Sequence, residues 1–278
     1  MKTLIVATDF SMPARNATWY AADMAMALHA KIVLLHVYQI PVTYMEVPVV
    51  IDELSIQEEV ETNILKLKEE LKERTNGALD IETAMKPGSF FNELKKMCQL
   101  YAPYAVVLGS QGTTAYDHIL YGTHAVYTTR HLDWPVITVP NGARFSLVKK
   151  ICLACDFNNI ADATVADEIK QFVEDFDAEL HVLNTAKKTD FNPVITLESG
   201  LLQERIGNLN PHYHFIINEK TDESIIEFAE KNDIDLLIVL PKRRGLIDKL
   251  VHKSVTRQLV LYSHVPVMSL HHHADKHG

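Results

Sequence analysis

Three things are scarce in this 278-residue chain. There are three cysteines, an odd and small number, which excludes a disulfide framework. Lys and Arg total 27 against 36 Asp and Glu, a formal net charge of −9. That balance argues against a nucleic-acid backbone as the main partner, since such partners are met by excess positive charge. No uninterrupted apolar run approaches the roughly 18 residues of a membrane-crossing helix, so no membrane is expected. The opening MKTLIVATDF has an apolar run too short for a signal-peptide core and no small-residue cleavage site, so a cytoplasmic location is expected. Recognisable catalytic patterns are also missing: there is no Gly-x-Ser-x-Gly, His-Glu-x-x-His or Walker A run. No catalytic residue is therefore assigned.

What is present is ordinary in bulk and repetitive in order. Apolar residues make up 47% and charged residues 23% of the chain, which suits a folded globular protein. The length suits two domains. Leu4-Ile5-Val6-Ala7-Thr8-Asp9-Phe10-Ser11 returns as Ile151-Cys152-Leu153-Ala154-Cys155-Asp156-Phe157-Asn158. Ala30–Val37 returns as Ala178–Thr185, Tyr104–Leu108 as Asp235–Val239, and Trp134–Val139 as Val265–Leu270. Four landmarks in one order mark a tandem duplication. The boundary falls at the turn-forming stretch Asn141–Arg144, giving domains 1–143 and 147–271.

Each half alternates short apolar strands with helical patterns. Strands are expected over 3–9, 31–38, 80–85, 104–109 and 135–139, then 149–156, 178–184, 213–218, 235–240 and 266–270. Helices are expected over 14–28, 53–74, 89–101, 121–131, 161–176, 222–232 and 251–262. In 53–74 the stripe is Leu54, Val60, Ile64, Leu67 and Leu71. The fold class is α/β: two parallel sheets covered by helices on both faces. Gln39–Ile51, with two prolines, reads as a flap or an interaction surface. Cys152 and Cys155 lie in a strand at i and i+3, hence on opposite faces, and are expected to be core residues rather than a metal or redox pair. His271–His273 and His277 read as a solvated tail or an artificial remnant; no metal site is assigned.

Chemistry is expected beyond the carboxyl ends of the strands. Asp9 follows the first strand there, and Leu108-Gly109-Ser110-Gln111-Gly112-Thr113-Thr114 follows the fourth. Glycines let backbone N–H groups approach an anion. Gly122-Thr123-His124 stands at an expected helix start, where unpaired N–H groups and the dipole suit a phosphate. Taken alone, Gly-x2-Gly is an ordinary turn and Asp9 an ordinary turn or helix-capping acid.

The full Gly-x2-Gly-x9-Gly-Thr, met by Gly109, Gly112, Gly122 and Thr123, resembles the nucleotide-binding signature of the universal stress protein family. The Ala-Thr-Asp-Phe-Ser start, the Leu-Leu-His-Val strand and the Trp-Pro-Val-Ile-Thr-Val close extend the resemblance over both copies. It implies two tandem open five-stranded parallel sheets, Rossmann-like and similar to the adenine nucleotide alpha hydrolases, paired through their last strands as an intrachain pseudo-dimer. It implies ATP or AMP as ligand, with Mg²⁺ as a companion ion. By the same resemblance Asp9 lies near the ribose or adenine, and the Val37 backbone reads the adenine edge. Leu108, Gly109, Gln111 and Gly112 line the ribose and α-phosphate, and Gly122, Thr123 and His124 face the outer phosphates. A protein partner of unknown identity and a homodimer are further expectations.

The second copy departs from the signature. It reads Val239-Leu240-Pro241-Lys242-Arg243-Arg244-Gly245, with Lys253-Ser254 in place of Gly122-Thr123. Proline lacks an N–H and side chains crowd the phosphate path, so this half is expected not to bind ATP in the family manner. Its three basic side chains read as a solvated loop or as an anion contact. Two other functions compete. One is an interaction module without useful nucleotide binding. The other is an ATP pyrophosphatase-like enzyme, which would need a Ser-Gly-Gly-x-Asp-Ser type loop where Asp9-Phe10-Ser11-Met12-Pro13 stands.

Overall fold

A computed structural model of the chain describes residues 1–40, 53–110, 123–155, 163–186, 200, 203–218, 220–241 and 254–271. In the first half, β1 (Thr3–Ala7), β2 (Lys31–Tyr38), β3 (Ile81–Pro87), β4 (Ala105–Gly109) and β5 (Val136–Val139) alternate with α1 (Met12–Leu28), α2 (Glu53–Arg74), α3 (Phe90–Tyr101) and α4 (Thr123–His131). The second half has β6 (Lys150–Cys155), β7 (Glu179–Ala186), β8 (His212–Ile217), β9 (Leu236–Val239) and β10 (Val267–Ser269). Its helices include α5 (Ala163–Phe176), α6 (Thr221–Lys231) and α7 (Val255–Tyr262), with a 3-10 turn at Gly207–Leu209.

The ten strands form one sheet in the order β3-β2-β1-β4-β5-β10-β9-β6-β7-β8. Pairing is parallel within each half, and the halves meet where β5 and β10 run antiparallel. Thr138 lies opposite Val267, Ile137 opposite Met268 and Val136 opposite Ser269. The expected pairing through the last strands is thus one continuous hydrogen-bonded sheet. Thr138 Oγ1 also donates to the Val267 carbonyl at 3.1 Å.

Local chemistry explains the element ends. Ser11 caps α1 by accepting from the Ala14 N–H at 3.2 Å. Pro13 sits in the first turn, where its missing N–H costs nothing; the helix therefore starts before residue 14. The helix buries Ala17, Ala21, Ala22 and Ala25, and these small side chains let it lie close on β1 and β4. The strand β3 runs on to Pro87, beyond its expected end, because it is an edge strand and proline removes no ladder bond there. The stripe of α2 is buried at Val60, Ile64, Leu67 and Leu71, whereas Leu54 is 69% exposed and outside it.

On one face of the sheet a single core crosses the junction between the halves. It includes Leu4, Tyr20, Val107 and Ile137 with Ile151, Phe172, Phe176 and Met268. The Tyr104 and Phe172 rings lie 4.4 Å apart, and Tyr20 meets Phe145 edge-on at 5.3 Å. Lys2 pairs with Asp175 at 2.5 Å. Between the halves the chain turns at Asn141-Gly142, with Gly142 at φ +80°. Asn16 on α1 pins that turn by donating to the Pro140 and Ala143 carbonyls, both at 3.1 Å. The opposite face has a separate core in each half. Cys152 belongs to one of these and Cys155 packs on the shared core, so the two thiols do face opposite ways. No described helix is long and apolar enough to cross a membrane.

Candidate functional site

Strand order reverses between β1 and β4, since β1 leads outward to β2 and β3 while β4 leads the other way to β5. Such a switch point opens a crevice at the carboxyl ends of the strands. Val6 pairs with Val107, so that register brings Asp9 level with Gly109 and Ser110 across the crevice. Asp9 is exposed. Its Oδ1 accepts from the Ser11 N–H at 3.0 Å and from the Ser11 hydroxyl at 2.5 Å. Ser11, not Asp9, is the helix cap, and Asp9 orients it.

Gly109 closes β4 beside Val139. A Cβ there would lie 3.0 Å from the Pro13 carbonyl oxygen and 3.1 Å from its carbon. Close packing on the first turn of α1 therefore already favours glycine at this place. Leu108 is buried, and the buried Ser110 donates its N–H to the Val139 carbonyl at 2.9 Å. Val37 lies one residue from the end of β2, opposite Lys86, and packs partly buried on the first-half core. Among the described residues, α4 covers Thr123–His131. His124 is exposed, its ring 4.9 Å from that of Phe90. Gln111, Gly112 and Gly122 lie outside the described residues, as do Asp156, Lys242–Gly245, Lys253 and most of Gln39–Ile51.

A small aromatic ladder stands at the same strand ends and was not singled out from the sequence. Phe10, at φ +63°, stacks on His36 with ring centroids 4.4 Å apart. Tyr38 lies parallel to His36 at 6.4 Å. His36 Nδ1 is 2.7 Å from the Thr8 carbonyl. A carbonyl only accepts, so Nδ1 carries the proton and the tautomer of the ring is set. The signal was in the sequence as the Asp-Phe-Ser and Leu-His-Val landmarks, but nothing in their spacing says that residues 10 and 36 touch.

The second half repeats the switch point between β6 and β9. Registers place Leu240 where Gly109 stands and Pro241 where Ser110 stands. Leu240 packs on the shared core and Pro241 is buried. Proline has no N–H for the bond that Ser110 makes. Among the described residues no group of three or more His, Cys, Asp or Glu could hold a metal ion.

The model of the universal stress protein family matches residues 1–140 and again residues 148–271. Among solved structures, the chain is similar to a universal stress protein from Archaeoglobus fulgidus DSM 4304, at 19% identity and a TM-score of 0.74, with 98% of each chain covered. It is also similar to a putative universal stress protein from Pseudomonas aeruginosa UCBPP-PA14, at 12% identity and a TM-score of 0.61, over 98% of this chain and 93% of that one. These two likenesses concern the fold. Among curated proteins there is no match. With its family model matched twice in tandem, the chain belongs to the universal stress protein family.

Proposed function

We propose that this is a cytoplasmic stress-response protein whose first half binds ATP or AMP while its second half does not. The carrying observation is the β1/β4 switch point, with Asp9 and Gly109 on its two sides and α4 (Thr123–His131) following β4 in the chain. Backbone N–H groups of that helix end and of the glycine-bearing loop suit phosphates without clustered Lys or Arg, which agrees with the acidic chain. Asp9 is a hydrogen-bond acceptor for ribose hydroxyls. Mg²⁺ would accompany a triphosphate, held by phosphate oxygens and water rather than by a protein cage. Occupancy of the site then biases association or the binding of a protein partner.

The second reading, an interaction module without useful nucleotide binding, is favoured by one observation: close packing against Pro13 by itself favours glycine at 109. One experiment decides. Freshly purified protein is denatured and the released small molecules are identified; ATP with Mg²⁺, and AMP, are then titrated by calorimetry. Released adenine nucleotide or saturable binding of one equivalent per chain is expected. Neither nucleotide nor heat would overturn the proposal.

Two substitutions refine it. Asp9→Ala is expected to weaken nucleotide binding tenfold or more, a charged hydrogen bond being worth about 1.5–3 kcal/mol. Folding stability should fall by about 1 kcal/mol, since the lost bonds are local and only partly buried. Unchanged affinity would place the ribose elsewhere. Gly122→Leu is expected to abolish binding, whereas Lys253→Leu leaves it unchanged; the reverse pattern would put the site in the second half.

A further inference from the structure

Three imidazoles gather on the outer edge of the second half. His181 on β7 lies directly opposite His212 on the edge strand β8, and His214 is opposite Leu183 two residues on. Strand alternation puts all of these on one face. His181 Nδ1 and His214 Nε2 are 3.0 Å apart, a hydrogen bond between two rings. Those rings are nearly parallel, with centroids at 5.2 Å, and the His212 ring is 5.3 Å from that of His181. His181 is buried, and its Nε2 has no hydrogen-bond partner.

The charges facing the group are few. Glu179 Oε2 is 3.7 Å from His181 Nε2, and Lys150 on the neighbouring β6 adds a positive charge. From α6, packed over this face, His214 meets the ring of Phe228 at 4.7 Å, and Ile225 joins the same apolar cluster. Among the described residues no acidic side chain of α6 contacts the imidazoles. The duplication supplies a control. Matching registers place Val33, Glu82 and Ala84 of the first half where His181, His212 and His214 stand. There Glu82 bonds Lys31 at 2.8 Å and the Tyr101 hydroxyl at 2.9 Å, pairs that do not change charge near neutral pH. The fold thus does not need histidine at these places.

We propose that His181, His212 and His214 form a proton-operated latch, in which a second proton on the His181–His214 pair parts the two rings and frees the edge strand β8 from the sheet. The chemistry follows from counting hydrogens. A hydrogen bond between two imidazoles uses one N–H and one bare nitrogen. A first proton can settle on His181 Nε2 beside Glu179 and leave that bond intact. A second proton has to occupy the accepting nitrogen, so that two N–H groups face each other. Burial, then the neighbouring imidazoles, push His181 and His214 below the usual histidine value. The unfolded strand therefore binds protons more tightly than the docked one. Docking is fully favoured above the ordinary histidine value of 6.5 and is lost as pH falls below it. Among the described residues, the strand β8 pairs only with β7, so it can open without breaking the central sheet.

The test is hydrogen exchange of the full chain, followed peptide by peptide and corrected for intrinsic rates. Between about pH 7.5 and pH 5.5, protection of residues 212–217 is expected to fall about tenfold or more, while that of β3 (Ile81–Pro87) stays constant. The double substitution His181→Val with His214→Ala, which installs the first half's residues, is expected to remove the pH dependence. Flat protection of β8 in the native chain, or an undiminished loss in the variant, would overturn the latch. Should the variant fold poorly, histidine proton resonances of the native chain decide. Two coupled, lowered titrations support the pair, and independent titrations at the ordinary value refute it.

Discussion

Phe172→Ala is expected to destabilise the whole chain by about 3–5 kcal/mol, the usual cost of deleting a fully buried ring. Phe172 is 1% exposed, yet the ring it packs against, tilted at 46°, is Tyr104 of the other half. The same seam holds the Tyr20–Phe145 contact, the Lys2–Asp175 ion pair and the β5–β10 ladder. A cavity here removes contacts from α5 and from the first half together. A single calorimetric transition is expected to move down by roughly 10 °C, at about 2–4 °C per kcal/mol for large domains. Two transitions, with only the later half of the chain shifted, would show that the shared core does not couple the halves. Trp19 and Trp134 both belong to the first half, so their fluorescence should follow the same lowered transition although the mutation lies in the second.

Gly109→Ala should have the next largest effect and should act twice. The added methyl would sit 3.0 Å from the Pro13 carbonyl oxygen and 3.3 Å from the Ala14 nitrogen. Both are backbone atoms of the capped first turn of α1 and cannot rotate aside. Forcing them apart costs about 1–3 kcal/mol in a well-packed region. It also moves Ser11 and, through Ser11, the Asp9 carboxylate that it bonds. Nucleotide affinity is therefore expected to fall more than tenfold, beyond the loss for Asp9→Ala. Thermal melting and calorimetric titration on the same sample separate the two consequences. A protein that loses stability but keeps full affinity would confine Gly109 to packing.

The sequence made the strand order and the duplication visible because both are written in short periodic runs. The run Leu4–Ala7 and its copy Ile151–Ala154 could only be buried strands. The close Val136–Val139 and its copy Val267–Ser269 became the seam. Ends were less legible. Pro13 and Pro87 looked like stops, but one sits where a helix has no donor to lose and the other on an edge without a neighbour. Leu54 fitted a helical stripe, yet it falls almost two turns before Val60, the first buried residue of α2. Contacts that depend on inter-strand register were illegible. Phe10 on His36, and His181 on His214, are separated by 26 and 33 residues. Nothing local says which rungs of adjacent strands coincide. The glycine at 109 was legible, but its cause was ambiguous: the same residue that lets a phosphate approach also lets a helix approach.

The antiparallel seam has one further effect, on how such molecules count. Two separate copies joined through their last strands would come apart on dilution and could exchange partners. Here the join is made within one chain, across a turn pinned by Asn16, so its strength does not depend on concentration. The fusion also removes the requirement that both members of the pair be the same. One member was free to lose its glycines and acquire histidines without the pair losing its symmetry of backbone. A third copy would find this edge already taken. The seam thus sets the valence of the molecule at two, and lets the two positions within it specialise.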